Sequence, residues 1–319
     1  MRVLFSIAWS KTFTPPTGAF GNDQIDVRVQ RSDWNLRGFR KLWYHILETL
    51  RILRAARGCD TLVLCTVSVE AILAGALKPL ICPGTRIVCF DLLMPRRNWP
   101  ARWFLPRLDA FACIRSGDIE TLVHRLGVSR ERCSFVPFPC PELDSETDHQ
   151  EGGYVYAAGS SYRDWPTLID AVAQTKCPAI FSTSDILVIP DSAKDRITIV
   201  PQQSPRNGRE LMAHASVVAV SLKDTHLSNG PLVLLDAMAM GKAVVVTLVN
   251  GTRDYVTPDT AIGVSPADVH AMATAIGQLM ENPAIRHRLG AAAQAHVRRH
   301  FTFARTMEGI MALCKIESA

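Results

Sequence analysis

Short β-branched runs alternate with longer helical ones along almost the whole chain, and one polar, acidic connector from Pro141 to Gly153 interrupts the alternation. This pattern constrains the fold more than any other feature. Strands that read as continuous apolar runs are buried on both faces, which calls for parallel sheets wrapped by crossover helices. The spacing predicts strands at 3–8, 61–66, 86–90, 110–114 and 134–137 before the connector. After it, strands are expected at 154–158, 179–183, 197–200, 217–221, 243–247 and 263–264. Helices are expected at 40–56, 165–175, 208–215, 231–240 and 267–281. The expected architecture is α/β, with two tandem doubly wound domains at 1–141 and 154–319 joined by a linker at 142–153. Ligands of such sheets lie at the carboxyl ends of the strands, here in the cleft between the domains.

Composition narrows the class further. With 319 residues, 48% hydrophobic and 20% charged, the chain can bury large cores, and disordered, collagen-like and disulfide-scaffold classes are excluded. The longest stretches without Asp, Glu, Lys or Arg, 211–222 and 269–280, are too short to span a bilayer, which takes about 20 residues. The start, MRVLFSIAW, reads as a first strand rather than a signal peptide, because no small-residue cleavage site follows. Nine scattered cysteines without a C-x-x-C pair suggest neither a disulfide framework nor a zinc ribbon, so a cytoplasmic home is expected. The net charge of +5 hides a gradient of +9 over 1–141, −5 over 142–153 and +1 over 154–319.

The most informative run is 227–247, LSNGPLVLLDAMAMGKAVVVT. Ser228 or Asn229 is suited to cap a helix whose first residue is Pro231, and Gly241 is suited to end it before the strand AVVVT. A helix that starts directly after a glycine offers free backbone N–H groups and the positive end of its dipole, a ready site for a diphosphate. Gly230 lets the backbone come close. Asp236, one to two turns further on, is suited to accept hydrogen bonds from a pair of sugar hydroxyls.

This run, followed by "NGTRDYVTPDTAIGVSPADVHAMATAIGQLMENPAIRHRLG", resembles the carboxyl-terminal half of the large retaining glycosyltransferase family with the GT-B fold, the glycosyl transferases group 1. That family typically shows E-G-x-x-L-x-L-L-E-A-M-A-x-G-x-P-V-V, then a "G-x-x-V-x-P-x-D" turn and a helix near "N-P-x-x-R-x-x-L-G". The stretch YVYAAGSSYRDWPTLIDAV is similar to the element that opens the family's donor-binding domain. The resemblance implies two Rossmann-like domains, a nucleotide-sugar donor that is UDP- or GDP-linked, and transfer to an acceptor hydroxyl with retention and without metal or other cofactor. It further implies that Gly159 opens the phosphate loop and Arg163 neutralises the diphosphate. Gly230, Pro231 and Leu232 would lie against diphosphate and sugar, and Asp236 would hold the ribose. Two departures stand out: Ser228 replaces the first family glutamate, and the lysine that follows the arginine is absent, Trp165, Pro166 and Thr167 standing there. They motivate an alternative, a catalytically silent relative acting as a binding subunit, and a second, a nucleotide-sugar epimerase.

The amino-terminal half is expected to bind the acceptor, a glycan or lipid-linked sugar. Asp91, in CFDLLMP, is the polar group where many relatives carry a histidine, and is a candidate to touch sugar or acceptor; the other reading is a turn carboxylate. The loop from Ser10 to Gly21 resembles the family's glycine turn only loosely. The stretch from Arg28 to Arg57 carries eight Lys or Arg against two acids, with Phe39, Leu42, Trp43, Ile46, Leu50 and Leu53 at helical spacing. The stretch from Arg96 to Arg107 adds four arginines and no acid. Either these stripes face the sheet with a solvated basic face, or they form a peripheral surface for anionic lipid on the inner face of a membrane. Nucleic acid is the weakest of the readings. His296 and His300 lack a third ligand and read as surface residues, and no P-loop, G-x-G-x-x-G fingerprint or G-x-S-x-G elbow occurs.

Overall fold

The computed structural model describes residues 1–8, 15–29, 38–95, 98–141, 150–202, 205–225 and 231–315. The chain divides into two compact units, Met1–Pro137 with Thr306–Ala319, and Phe138–Arg305.

The first unit is built on strands β1 (Arg2–Ile7), β2 (Gly18–Phe20), β3 (Asp23–Val29), β4 (Thr61–Cys65), β5 (Arg86–Phe90), β6 (Ala110–Cys113) and β7 (Cys133–Phe135). They form one sheet of order β2-β3-β1-β4-β5-β6-β7, parallel throughout except for the β2–β3 pair. Every residue of β4 and β6, and all of β1 but Arg2, is buried, as a sheet covered on both faces requires. Helices α1 (Gly38–Ala55), α2 (Ser68–Ile81) and α3 (Asn98–Phe104) make the crossovers β3 to β4, β4 to β5 and β5 to β6, and α4 (Ser116–Glu120) precedes β7. Right-handed crossovers that all step the same way across the sheet lie on one face, and α2 accordingly packs against both α1 and α3.

The second unit carries β8 (Val155–Ala158), β9 (Ala179–Ser182), β10 (Ile197–Val200), β11 (Val217–Val220), β12 (Ala243–Thr247) and β13 (Ile262–Val264), all parallel in the order β10-β9-β8-β11-β12-β13. Its helices are α5 (Trp165–Thr175), α6 (Pro205–Ala213), α7 (Pro231–Ala239), α8 (Val269–Glu281) and α9 (Pro283–His300). α10 (Phe303–Cys314) follows and, from Thr306 onward, belongs to the first unit.

Local chemistry explains the helix ends. Asp164, Asp268 and Asn282 each accept a backbone N–H three residues on, capping α5, α8 and α9. The run NPAIRHRLG has one physical role per marked residue. Asn282 caps α9 and Pro283 fills its first position. Arg286, buried, donates from Nη1 to the carbonyls of Leu279 and Met280 at 2.7 and 2.9 Å, closing the end of α8, and pairs with Glu151. Leu289 is buried, and Gly290 sits where a Cβ would stand 1.9 Å from the Gly241 carbonyl oxygen.

Three expectations need correction. The reading of 10–21 as a loop missed β2, and β3 was not expected at all. In DQIDVRV only Ile25 is fully buried, so the apolar run that marks the other strands is absent. Residues 306–319 were assigned to the second unit, yet α10 buries Thr306, Met307, Ile310, Met311 and Cys314 in the first. An amphipathic helix shows which face it buries and not against which sheet. Finally, the stripe on α1 does not face the sheet as a whole. Its inner face is His45, Glu48, Thr49, Ile52 and Leu53, with His45 Nδ1 2.5 Å from Glu70 Oε1, whereas Phe39 is 72% exposed and Leu42, Trp43 and Leu47 are about half exposed. His45 meets Glu70 of α2, Glu48 pairs with Arg28 and Arg51, and Thr49 bonds His45 O, so the polar residues face inward while the apolar ones are left outside.

Replacing Gly290 with Ala would force α9 away from the turn after α7. A loss of about 2 kcal/mol or more in unfolding free energy is expected, in the range of overpacking. Gly277 lies mid-helix in α8 with nothing within 4 Å of a built Cβ, and its change to Ala should add about 0.5–1 kcal/mol. Equilibrium denaturation of the two variants checks both signs.

Candidate functional site

In the second sheet the strand order reverses between β8 and β11, and it is outside the carboxyl ends of such strands that open α/β sheets hold ligands. The segments that leave these two strands are stitched together. Asp164 N–H donates to Ser221 O at 3.1 Å, Lys223 N–H to Tyr162 O at 3.0 Å, and Ser221 Oγ to Asp164 O at 3.0 Å. Leu222 N–H reaches Thr247 Oγ1 at the end of β12, at 3.2 Å.

Arg163 lies inside this seam. It is 9% exposed, its Nε donates to Ala158 O at 2.6 Å, and its Nη1 is buried with no hydrogen-bond partner among the described residues. Burial pulls its pKa down to about 10, against the pull of Asp185, so the guanidinium is a cation at neutral pH. Gly159 makes room for it. Its φ is +105°, and a Cβ there would stand 2.8 Å from Arg163 Nη2 and 3.0 Å from Nε. A glycine is therefore needed both for the turn and for the close approach of the side chain.

Beside it opens a groove of about 780 Å³, lined among others by Ser160, Tyr162, Arg163, Trp165, Asp185 and Lys223. That size is within the range of small-molecule sites. Trp165 Nε1 donates to Asp185 Oδ2 at 2.8 Å, and Ser160 Oγ lies 2.8 Å from Ser184 Oγ, so the segments after β8 and β9 are tied to each other as well.

On α7, Pro231 is the first residue and is buried, and Leu232 is 48% exposed. Asp236 is joined by Arg209 of α6, whose Nη2 donates to Oδ1 at 3.2 Å. Burial raises the Asp236 pKa, and the charge and hydrogen bond of Arg209 work against that rise.

The structure thus brings Gly159 and Arg163 together and puts Asp236 on the helix that begins with Pro231 and Leu232. Ser228, Asn229 and Gly230 lie outside the described residues, as do Arg96 and Arg97. Asp91 is in the first unit, at the end of β5, with φ 48°; its Oδ1 is 3.8 Å from Nη2 of the fully buried Arg115, which also bonds Asp118 at 2.6 Å. The turn-carboxylate reading accounts for this pairing. Arg209 was missed, since an arginine in an amphipathic helix carries no signal of what it meets. The rings of His296 and His300 are 4.9 Å apart, and among the described residues no group of three or more His, Cys, Asp or Glu is placed to hold a metal ion. Among the same residues no helix is long and apolar enough to cross a membrane.

Residues 187–296 match the family model described as Glycosyl transferases group 1. Among solved structures, the chain is similar to a glycosyltransferase from Rickettsia africae at 10% identity and a TM-score of 0.69, covering 100% of this chain and 99% of that one. It is similar to the sucrose-phosphate synthase of Thermosynechococcus elongatus at 14% identity and 0.69, covering 96% of each. It is also similar to Anabaena HepE in complex with UDP and glucose, at 16% identity and 0.68, covering 98% of each. These likenesses show the fold, two parallel-dominated α/β sheets of the GT-B type. No curated protein matches the sequence.

A buried guanidinium with no ion pair among the described residues, balanced only by the pull of Asp185, costs stability when no ligand is present. Arg163→Leu should therefore unfold within about 1 kcal/mol of the wild type or above it. The same variant should lose binding of diphosphate anions, as should Gly159→Ala, which displaces the guanidinium. Chemical denaturation and pyrophosphate titration, run on the same samples, separate the two effects.

Proposed function

Residues 187–296 belong to the glycosyl transferases group 1 family, and from that premise we propose that the chain is a retaining glycosyltransferase taking its sugar from a nucleotide-diphosphate donor. The observation that carries the reading is the buried cation of Arg163, whose Nη1 has no partner among the described residues, at the reversal of strand order. A diphosphate oxygen supplies the missing acceptor, and a charge-assisted bond in a site shielded from water is among the stronger ones available. The amino end of α7 adds the positive end of its dipole. Asp236 accepts the ribose hydroxyls. Donors linked to UDP or GDP fit these contacts.

In the transfer, the bond from the anomeric carbon to the diphosphate oxygen breaks, and the bond to the acceptor oxygen forms on the same face. The acceptor proton passes to the departing phosphate oxygen. The share of the protein is to position the reactants and to stabilise the charge growing on the diphosphate through Arg163 and the helix dipole, which asks for no metal.

For the acceptor, the reading extends to a lipid-linked or cell-surface glycan precursor, met on the inner face of a membrane. Support comes from the first unit. α1 and α3 both start at the carboxyl end of its sheet, on one face, and expose Phe39, Trp43, Trp99 and Trp103 beside Arg40, Lys41 and Arg102. Exposed aromatic rings ringed by cations suit an anionic lipid surface.

Thermal unfolding against UDP, GDP, ADP and dTDP and their sugar conjugates tests the donor. A ligand at about 100 times its Kd adds about 2.7 kcal/mol, and one conjugate should stand out. No shift with any member would turn the reading toward a binding subunit without activity. Sedimentation with vesicles tests the surface: binding to phosphatidylglycerol, but not to phosphatidylcholine, should fall when Trp43 and Trp99 are changed to Ser. Equal binding by that variant would remove the membrane part of the reading.

A further inference from the structure

The unoccupied role left by the donor reading is that of a second basic group, since the chain lacks the lysine expected after Arg163. Arg209 is the cation found beside the other half of the site. It reaches across from α6 to Asp236 on α7, with Nη2 to Oδ1 at 3.2 Å, and its Nε is buried with no hydrogen-bond partner among the described residues. The Asp236 side chain is 24% exposed and the Arg209 side chain 39%, so the pair lies between the core and the solvent.

We propose that Arg209 is a positioning residue of the donor site, which holds Asp236 as an oriented carboxylate so that it accepts the ribose diol. The inference rests on the donor reading above. A diol needs two acceptor positions on an ionised carboxyl group, and the bond to Arg209 occupies Oδ1 from one side only. A carboxyl group shielded in this way is driven toward its neutral form, and the arginine is what opposes that drive.

The elements packed against α7 are α6, α9, β11 and β12. Among the described side chains of α6, Arg209 is the charged one paired with Asp236. From β8, Tyr156 lies close enough for Asp236 to raise its pKa, which burial raises first, so the phenol stays neutral through the range in question. α9 meets the end of α7 through Gln294, whose Nε2 donates to Ala239 O at 2.9 Å. β11 and β12 contribute only valine, alanine and threonine. Among the described residues, the state of Asp236 is therefore set by burial and by Arg209.

The sign follows. In the wild type the Asp236 pKa is raised, with Arg209 limiting the rise. Without the arginine it rises further, and ligand binding that needs the carboxylate falls as the pH drops through that higher value. The fall approaches about tenfold per pH unit on the acid side.

The experiment is a donor-binding profile from pH 5.5 to 9 for the wild type, Arg209→Gln, Arg209→Lys and Asp236→Asn. The probe is whichever of UDP-, GDP-, ADP- and dTDP-glucose stabilises the wild type most, because its phosphates do not titrate over this range. Arg209→Gln should move the acid limb of the profile to higher pH while its affinity at pH 9 stays within a few fold of the wild type. Arg209→Lys should bring the limb most of the way back, and Asp236→Asn should bind weakly with no limb. A uniform loss at every pH in Arg209→Gln would mean a direct ligand contact or a merely structural role and would overturn the inference, as would an unmoved limb. Should the wild type bind none of the four, the donor reading itself fails and takes this inference with it. Should it bind while Arg209→Gln shows a wild-type profile, only the inference fails.

Discussion

A guanidinium held out of water with no ion pair among the described residues, and Asp185 as the one acid that acts on it, is costly, and the second unit is arranged to hold one. Arg163 is kept in place by one hydrogen bond to Ala158 O, by a glycine whose missing Cβ leaves it room, and by the seam between the segments after β8 and β11. The backbone at Tyr162, with φ 54°, turns the chain so that the side chain folds back over the end of its own strand. A cavity-lining cation in such a place gains most from a ligand with concentrated negative charge, because the surroundings do little to screen the attraction. The proposal of a diphosphate ligand rests on that imbalance more directly than on any single motif.

The rest of the unit fixes where the site's second wall stands. α7 ends at Ala239, just before the turn at Gly241, and this end is clamped by α9. Gly290 allows the two backbones to meet, and Gln294 bonds Ala239 O at 2.9 Å. Lys242 reaches Ala215 O at 3.1 Å and ties the same turn to the chain before β11. α9 is in turn set against α8 by Arg286 and Asn282. The NPAIRHRLG run thus helps to fix the position of the helix that carries Asp236.

Much of this was legible in the sequence for a physical reason. Buried parallel strands are almost uniformly apolar, so TLVLC, AFAC and AVVVT announce themselves, and ten of the eleven expected strands agree with the observed ones within about a residue at each end, β7 starting one residue early and ending two early. Gly159 and Arg163 could be named only because YVYAAGSSYRDWPTLIDAV resembles the element that opens the family's donor-binding domain. The half-polar β3 was not legible, nor was the home of α10, because neither feature leaves a trace in local hydrophobicity. The same holds for α1, whose inward-facing His45 and Glu48 are stabilised by partners on other elements, among them Glu70 on α2 and Arg28 on β3. Nor could spacing alone show that Asp236 has an arginine at its side, since Arg209 is 27 positions away.

The most direct test of the account is a crystal structure with the tightest-binding nucleoside diphosphate at saturation. It should show a phosphate oxygen within hydrogen-bond distance of Arg163 Nη1, the atom without a partner here, and the ribose hydroxyls at Asp236. A nucleotide bound elsewhere, with Nη1 still unpartnered, would contradict the assignment of this seam as the donor site.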